Sequence, residues 1–278
     1  MVRRALGNHH VRPDTLLVTS DATQQTVPVA EETESDRELT ELAELVRGSG
    51  CVLLDFDGPI CRLFAGRSAE VIALEQEQWL KDQGLGEVLK AEERERGDSS
   101  SYPDPPDPLA RLARVAHERP ESDLVIAMEK RHAAQELRAV PTAWPTPYVD
   151  VVIPTWAARG ARLAIATNNS PEAARRYVDE RRLSRYFEPH IYGRTADLGL
   201  LKPHPHCLNR AITAIGAAPQ RTLMVGDTAT DFEAARAAGV RFLGFAYSKR
   251  ALRALRDAGA EQVITSWKPV LDILRATA

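Results

Sequence analysis

Five short apolar runs punctuate this chain, and most are followed by a helical pattern; that rhythm restricts the fold more than any other feature. The runs are "CVLL" (51–54), "ARLAIAT" (161–167), "PHIYG" (189–193), "RTLMVGD" (221–227) and "VRFLGFA" (240–246). Apolar residues recur at helical spacing over 170–182, 203–216, 230–238 and 249–258. Strand alternating with helix predicts an α/β fold, a parallel sheet with helices on both faces. The mostly apolar strands fit burial on both sides.

One interval breaks the rhythm. Between the first and second runs lie helical patterns near 68–83, 108–118 and 121–139, the turn-rich "GDSSSYPDPPDP" (97–108), and no convincing strand. Insertions at the carboxyl ends of parallel strands sit over the crevice where such sheets bind ligands, so a helical cap over 66–150 is preferred to a mere spacer. The core then comprises 35–65 and 151–278. Residues 35–47 carry Leu39, Leu42, Leu45 and Val46 at helical spacing and stop at Gly48-Ser49-Gly50, a helix expected beside the first strand. Residues 1–34, polar and without periodicity, are expected to be a mobile or loosely docked tail.

Composition removes several classes of function. A chain of 278 residues with a formal net charge of −3 and interleaved acids and bases offers no basic field for nucleic acid. No apolar run approaches the roughly 20 residues of a membrane span, and no signal-peptide core follows Arg3-Arg4, so a cytoplasmic protein is expected. Cys51, Cys61 and Cys207 have no ligand-like spacing and suit a reducing compartment.

The chemistry gathers at strand ends. In "LLDFDGPI", side-chain alternation puts Asp55 and Asp57 on one side and Phe56 on the other. Two carboxylates about 4 Å apart repel by on the order of 4 kcal/mol at an effective dielectric near 20, so the pair needs a cation, a shared proton or another donor, unless the aspartates simply cap a turn before Gly58. Asp227 also ends a strand, and oxygen-only ligands from two strand ends point to Mg²⁺. Asp231 lies in the first turn of the next helix, where Thr230 and Glu233 read as a capping box. After Thr167, Ser170 and Pro171 read as N-cap and N1 of a helix whose free N–H groups suit phosphate, or as an ordinary turn. Lys202, before Pro203 near a helix start, can reach the same crevice. His204 and His206 are assigned to loop or capping roles. Four carboxylates against one Mg²⁺ and one lysine leave net negative charge, which eases if Asp57 holds a proton; a protonated carboxyl is also what a general acid requires.

The ordered set D-x-D-G (55–58), strand-Thr (167), Lys-Pro (202–203) and G-D-x-x-x-D (226–231) resembles the haloacid dehalogenase superfamily of hydrolases, over about residues 50 to 246. The resemblance implies a Rossmann-like core, with the insert as the helical cap of the phosphoglycolate phosphatase-like branch. It implies Asp55 as nucleophile forming an aspartyl-phosphate, and Asp57 as the acid and then base. Thr167 and Lys202 would act on the phosphoryl group, with Gly58 and Asn168 in its binding loop. Asp55, Asp57 (through its carbonyl) and Asp227 would bind Mg²⁺, supported by Asp231. The expected activity is a Mg²⁺-dependent phosphatase acting on a small phosphorylated metabolite; a phosphomutase or a non-catalytic phospho-ligand sensor is the alternative. Pro59 departs from the Thr common after D-x-D-G, removing a hydroxyl and an N–H. Arg67, Lys81, Lys130, Arg131 and His132 are candidates to meet an anionic leaving group, or are solvated helix-surface residues.

Overall fold

The computed structural model describes residues 34–66, 68–87, 89, 107–120 and 122–276. The proposed tail, Arg67 and most of the turn-rich segment at 97–108 lie outside the described residues. In chain order the elements begin with α1 (Glu34–Arg47), β1 (Cys51–Leu54), β2 (Cys61–Arg62), α2 (Ala69–Asp82), α3 (Pro108–Glu118), α4 (Asp123–Ala139), β3 (Trp144–Pro145) and α5 (Val149–Ala158). There follow β4 (Arg162–Ala166), α6 (Pro171–Glu180), α7 (Ser184–Phe187), β5 (Ile191–Tyr192), α8 (His206–Ile215), β6 (Thr222–Gly226), α9 (Ala229–Ala237), β7 (Arg241–Phe245), α10 (Lys249–Asp257), β8 (Val263–Ile264) and α11 (Lys268–Arg275).

Six of the strands form one parallel sheet in the order β5-β4-β1-β6-β7-β8. The register aligns Leu54 with Ile165 on one side and Val225 on the other, so the residues following these three strands leave the sheet at one rim. Strand alternation then builds two cores. Val52, Leu54, Ile165 and Val225 face one side with residues of α1, α5, α6 and α11, whereas Cys51, Leu53, Ala164, Ala166 and Met224 face the other with α8 and α9. The α/β class is as the sequence rhythm predicts.

Six elements depart from that prediction or extend it. A two-stranded antiparallel ladder, β2 with β3, joins the two ends of the inserted segment, where no strand was expected. At two residues each, these strands are too short to show alternation. Helix α5 carries the β-branched Val149, Val151, Val152 and Ile153 together with an internal Pro154, a poor helical signal; packing of Val149, Val152, Ile153 and Trp156 into the first core sustains it. Strand β8 and helix α11 extend the sheet and its cover beyond 258. Helix α1 does form, yet it packs chiefly on α11, and Leu39 stays exposed.

Helices α2, α3 and α4 gather round a separate apolar cluster of Leu80, Leu89, Leu112, Val115, Val125 and Met128, with Leu198 added from the loop before α8. Their starts are written locally: Ser68, Asp107 and Ser122 each accept a backbone N–H of the first turn. No helix among the described residues is long and apolar enough to cross a membrane.

Candidate active site

Asp55, Thr167 and Asp227 directly follow β1, β4 and β6, three adjacent strands, and so arrive at one edge. Asp55 is anchored by its own N–H, which donates to the Val225 carbonyl at 2.9 Å. Phe56 turns the opposite way, fully buried edge-on against Tyr177. Asp55 and Asp57 therefore share one side, as alternation requires, and both line a cleft of about 570 Å³ with Gly58, Thr167, Lys202, Asp227 and Asp231. The rim of helices supplies Ser68, Asp107 and His132 to the same cleft, and Arg62, Phe64 and Tyr247 complete its mouth.

The acidic cluster is tight. One carboxylate oxygen from each of Asp55, Asp227 and Asp231 lies within 4.8 Å of the other two. Lys202 Nζ, buried at 5% exposure, donates to Asp55 Oδ1 at 2.9 Å, to Asp231 Oδ1 at 2.5 Å and to the Ala166 carbonyl at 3.1 Å. Burial alone would lower its pKa, but the Asp231 and Asp55 carboxylates outweigh it and hold the ammonium charged, well above the ordinary lysine range. The acids are raised as well, which for them favours the neutral form. Burial, then repulsion from Asp55 and Asp231, pushes Asp227 well above the carboxylate range. Burial also raises Asp55, opposed by Lys202. Asp57 rises to about 7 through desolvation, opposed by the Leu63 N–H that its Oδ1 accepts at 2.8 Å and reinforced by the Asp55 charge.

Asp227 Oδ1 decides whether a divalent cation fits. It is a buried carboxylate oxygen with no hydrogen-bond partner among the described residues, and a side chain on Gly58 (φ +120°) would put its Cβ 2.5 Å from the Asp227 carboxyl carbon. Gly58 is thus required for this close approach as well as for its backbone conformation. An unpartnered buried oxygen beside a second carboxylate calls for a cation, and the donor set is hard oxygen. Asp231 is built differently. Its Oδ2 accepts the N–H groups of Asp227 (3.1 Å) and Thr228 (3.0 Å) and the Thr228 hydroxyl (2.7 Å), while Oδ1 faces Lys202. The capping box is therefore Thr228 with Asp231, not Thr230 with Glu233, because the helix begins two residues earlier than a Thr230 cap requires and places Thr230 inside its first turn.

The remaining predicted residues resolve as follows. Ser170 caps α6 by accepting the Glu172 N–H, with Pro171 at N1. Thr167 is 1% exposed, and its hydroxyl donates to Asn169 Oδ1 at 2.9 Å. The Asn168 side chain, placed by sequence in the phosphate loop, grips the backbone of Lys202 through two hydrogen bonds of 2.8 and 3.2 Å. His204 Nδ1 accepts the His206 N–H, the capping role expected of that pair. Of the candidate leaving-group cations, His132 reaches the cleft, while Lys81 pairs with Glu77 and Arg131 lies over the Trp79 ring.

Several residues at or beside the site were not anticipated. The loop after Asp57 is held by Thr146, whose hydroxyl donates to the Gly58 carbonyl at 2.7 Å, and by Trp267, whose Nε1 donates to the Pro59 carbonyl at 2.8 Å. These anchors fix the loop carbonyls and do not replace the hydroxyl and N–H that Pro59 lacks. Glu136 and Arg194, fully or nearly buried, bind the loop after Thr167. For Glu136 a signal existed: it falls on the buried stripe of α4 with Val125, Met128 and His132, where a carboxylate needs a reason.

Residues 50–239 match the haloacid dehalogenase-like hydrolase family. The chain belongs to that family. The assignment makes it an enzyme of a hydrolase family, with the ordered motifs in the cleft. Among curated proteins, the phosphoglycolate phosphatase of Aquifex aeolicus is 27% identical over 198 residues, spanning 68% of this chain and 81% of the relative. A probable phosphoglycolate phosphatase of Pseudomonas putida is 30% identical, spanning 54% and 57%, and the pyrophosphatase PpaX of Halalkalibacterium halodurans is 30% identical, spanning 43% and 55%. For these last two, the chain spans little more than half of the relative's length. The crystal structure of a predicted phosphatase from Clostridium acetobutylicum superposes with a TM-score of 0.59 at 16% identity, covering 82% of this chain and 99% of that one, which establishes the shared fold.

Proposed function

We propose that the protein is a Mg²⁺-dependent phosphatase that hydrolyses a small phosphorylated metabolite through an aspartyl-phosphate on Asp55. The observation that carries the reading is the pairing of Asp55, oriented by Lys202, with an Asp57 whose pKa sits near 7 on the same side of the cleft. In this reading the Asp55 carboxylate attacks phosphorus while the Asp57 carboxyl gives its proton to the departing oxygen. Asp57, now ionised, takes a proton from the water that cleaves the acyl phosphate. Lys202 and Thr167 face the equatorial oxygens, and Gly58 keeps the loop close. Asp55, Asp227 and the Asp57 carbonyl would hold the metal, with Asp231 fixing Lys202 and the Asp227 backbone. Bound Mg²⁺ supplies the positive charge that lets a phosphoryl dianion approach so many acids.

A cleft of about 570 Å³ fits a small metabolite. Its rim, residues 66–150 in the role of a cap over a core of 35–65 and 151–278, would choose the leaving group, with Arg62 and His132 the cationic or polar groups in reach. The names of the relatives, phosphoglycolate phosphatase and pyrophosphatase, agree with a small anionic substrate. Three free, buried cysteines support a cytoplasmic setting. Phosphate release from a panel of phosphorylated metabolites, with and without Mg²⁺, tests the reading. Metal-dependent release that vanishes in Asp55→Asn is expected. Transfer to an acceptor sugar in place of release would make it a mutase, and no turnover with ligand-induced stabilisation would make it a sensor.

A further inference from the structure

We propose that Thr146 is a positioning residue, which from the end of the inserted segment holds the loop that aims the Asp57 carboxyl at the leaving oxygen. The inference rests on the phosphatase reading above and deepens it. Asp57 reaches the cleft from a tight loop, closed by the Gly58 N–H on the Cys61 carbonyl at 2.6 Å and the Cys61 N–H on the Phe56 carbonyl at 3.1 Å. The far limb of that loop brings the Leu63 N–H back to Asp57 Oδ1 at 2.8 Å. The direction of the carboxyl is thus a property of the loop. Its weak point is Gly58, which stands at φ +120° and has no side chain to pack.

Thr146 directly follows β3, is buried, and gives both of its protons to this loop. Its hydroxyl donates to the Gly58 carbonyl at 2.7 Å and its N–H to the Ile60 carbonyl at 3.1 Å. With Trp267 Nε1 on Pro59, three successive carbonyls are held, two of them by one residue. Without the hydroxyl, the β2–β3 ladder, the Thr146 N–H, Trp267 and the buried Ile60, Cys61 and Leu63 side chains would still hold the loop in place. What the hydroxyl adds is a fixed carbonyl on the glycine next to Asp57. Misplacing a reacting group by about 1 Å costs about 10²-fold in rate, so a fraction of an ångström at Asp57 is worth roughly tenfold. The nucleophile is spared, because Asp55 is held separately, by its N–H on the Val225 carbonyl and by Lys202. The hydroxyl therefore bears on proton delivery to the leaving oxygen and not on attack.

The test sets two substrates against each other, with the full chain and Mg²⁺. Glycerol phosphate has an alkoxide leaving group that must be protonated, whereas the phenolate of p-nitrophenyl phosphate departs without a proton. The quantity compared is kcat/KM, which covers the steps up to loss of the leaving group and excludes the later hydrolysis common to both. Thr146→Val keeps the shape and removes the hydroxyl. It is expected to lower kcat/KM about tenfold for glycerol phosphate and less than about twofold for p-nitrophenyl phosphate. Thr146→Ser, which keeps both donors, is expected to return the wild-type ratio. Should the valine variant not fold, Thr146→Cys, with only a weak S–H donor, reads the same ratio. An equal loss on both substrates, as would follow if the loop instead disturbed Asp227 beside Gly58, would overturn the inference and leave the phosphatase reading standing. A lower melting temperature with both rates intact would do the same, reducing Thr146 to a structural anchor. A wild-type protein that releases phosphate from neither ester nor from any metabolite of the panel would refute both readings.

Discussion

Replacing Asp57 by Asn should make the protein more stable and less active, with a pH signature that separates the two effects. The folded structure raises the Asp57 pKa from the ordinary 3.8 to about 7, first by desolvation. A carboxyl raised on folding favours the folded state while protonated in both states, below about pH 3.8, and loses that stability as pH rises to the folded value. At about 1.4 kcal/mol per pH unit the full loss is about 4 kcal/mol, and about 2 kcal/mol of it accrues between pH 5 and 7. Asn is neutral throughout, is nearly the same shape, and can still accept the Leu63 N–H through Oδ1. The stability gap between Asp57→Asn and wild type should therefore widen by about 2 kcal/mol from pH 5 to 7 and level off about one pH unit higher, as measured by urea unfolding with a chelator present. Over the same series, turnover with Mg²⁺ should fall about 10²- to 10⁴-fold, the ordinary contribution of a general acid–base. A gap that is constant across pH 5–7.5, or that narrows, would refute the claim that Asp57 is held protonated by its surroundings.

Three further substitutions probe the rest of the cleft. Asp55→Asn should reduce phosphate release by at least about 10³-fold while leaving the circular dichroism spectrum unchanged, since the nucleophile is lost but the shape is kept. Asp227→Asn should raise the melting temperature in chelator by relieving repulsion from Asp55 and Asp231, and should abolish the upward shift that Mg²⁺ produces in wild type; a preserved Mg²⁺ shift would place the metal elsewhere. Lys202→Met leaves Asp55 and Asp231 buried without their cation and should destabilise the fold by about 3–5 kcal/mol in a chelator-treated unfolding titration at pH 7.

The sheet and the gathering of Asp55, Thr167 and Asp227 at one of its edges were legible in the sequence for the same reason. Both depend on strand ends, and a parallel sheet makes residues that are distant along the chain, Asp55, Thr167 and Asp227, adjacent by register alone. Hydrophobic run, strand end and charged residue are all local signals. What escaped was tertiary in origin. Thr146 and Trp267 reach the loop at Gly58 and Pro59 from 88 and 208 positions away, and neither carries a pattern that marks a backbone anchor. The capping box at α9 was misread because T-x-x-E and T-x-x-D overlap there within a few residues, and only the backbone of Thr228, in the extended region, tells which begins the helix. Helix α5 was missed because β-branched residues and Pro154 carry low intrinsic propensity, which its packed face overrides.

The placement of Lys202 explains how one cleft holds so many acids without unfolding. A single ammonium bridges Asp55 and Asp231, so the proposed nucleophile and the residue that fixes the Asp227 backbone share one counter-charge. That sharing makes the three acids unequal. Asp231 has its lone pairs filled by N–H and hydroxyl donors as well as the lysine, Asp55 has the lysine, and Asp227 keeps a buried oxygen with no donor among the described residues. The oxygen left without a partner is the one with most to gain from a metal, and Asp55 beside it is the one whose remaining oxygen is left to attack. Were Lys202 to serve Asp227 in place of Asp231, the cation site would be quenched and the α9 cap would lose its anchor to the lysine. The proposed division of the acids into cap, nucleophile and metal ligand therefore rests on which of them the lysine touches, and the place of Lys202 is set by Asn168 holding its backbone beside the end of β4.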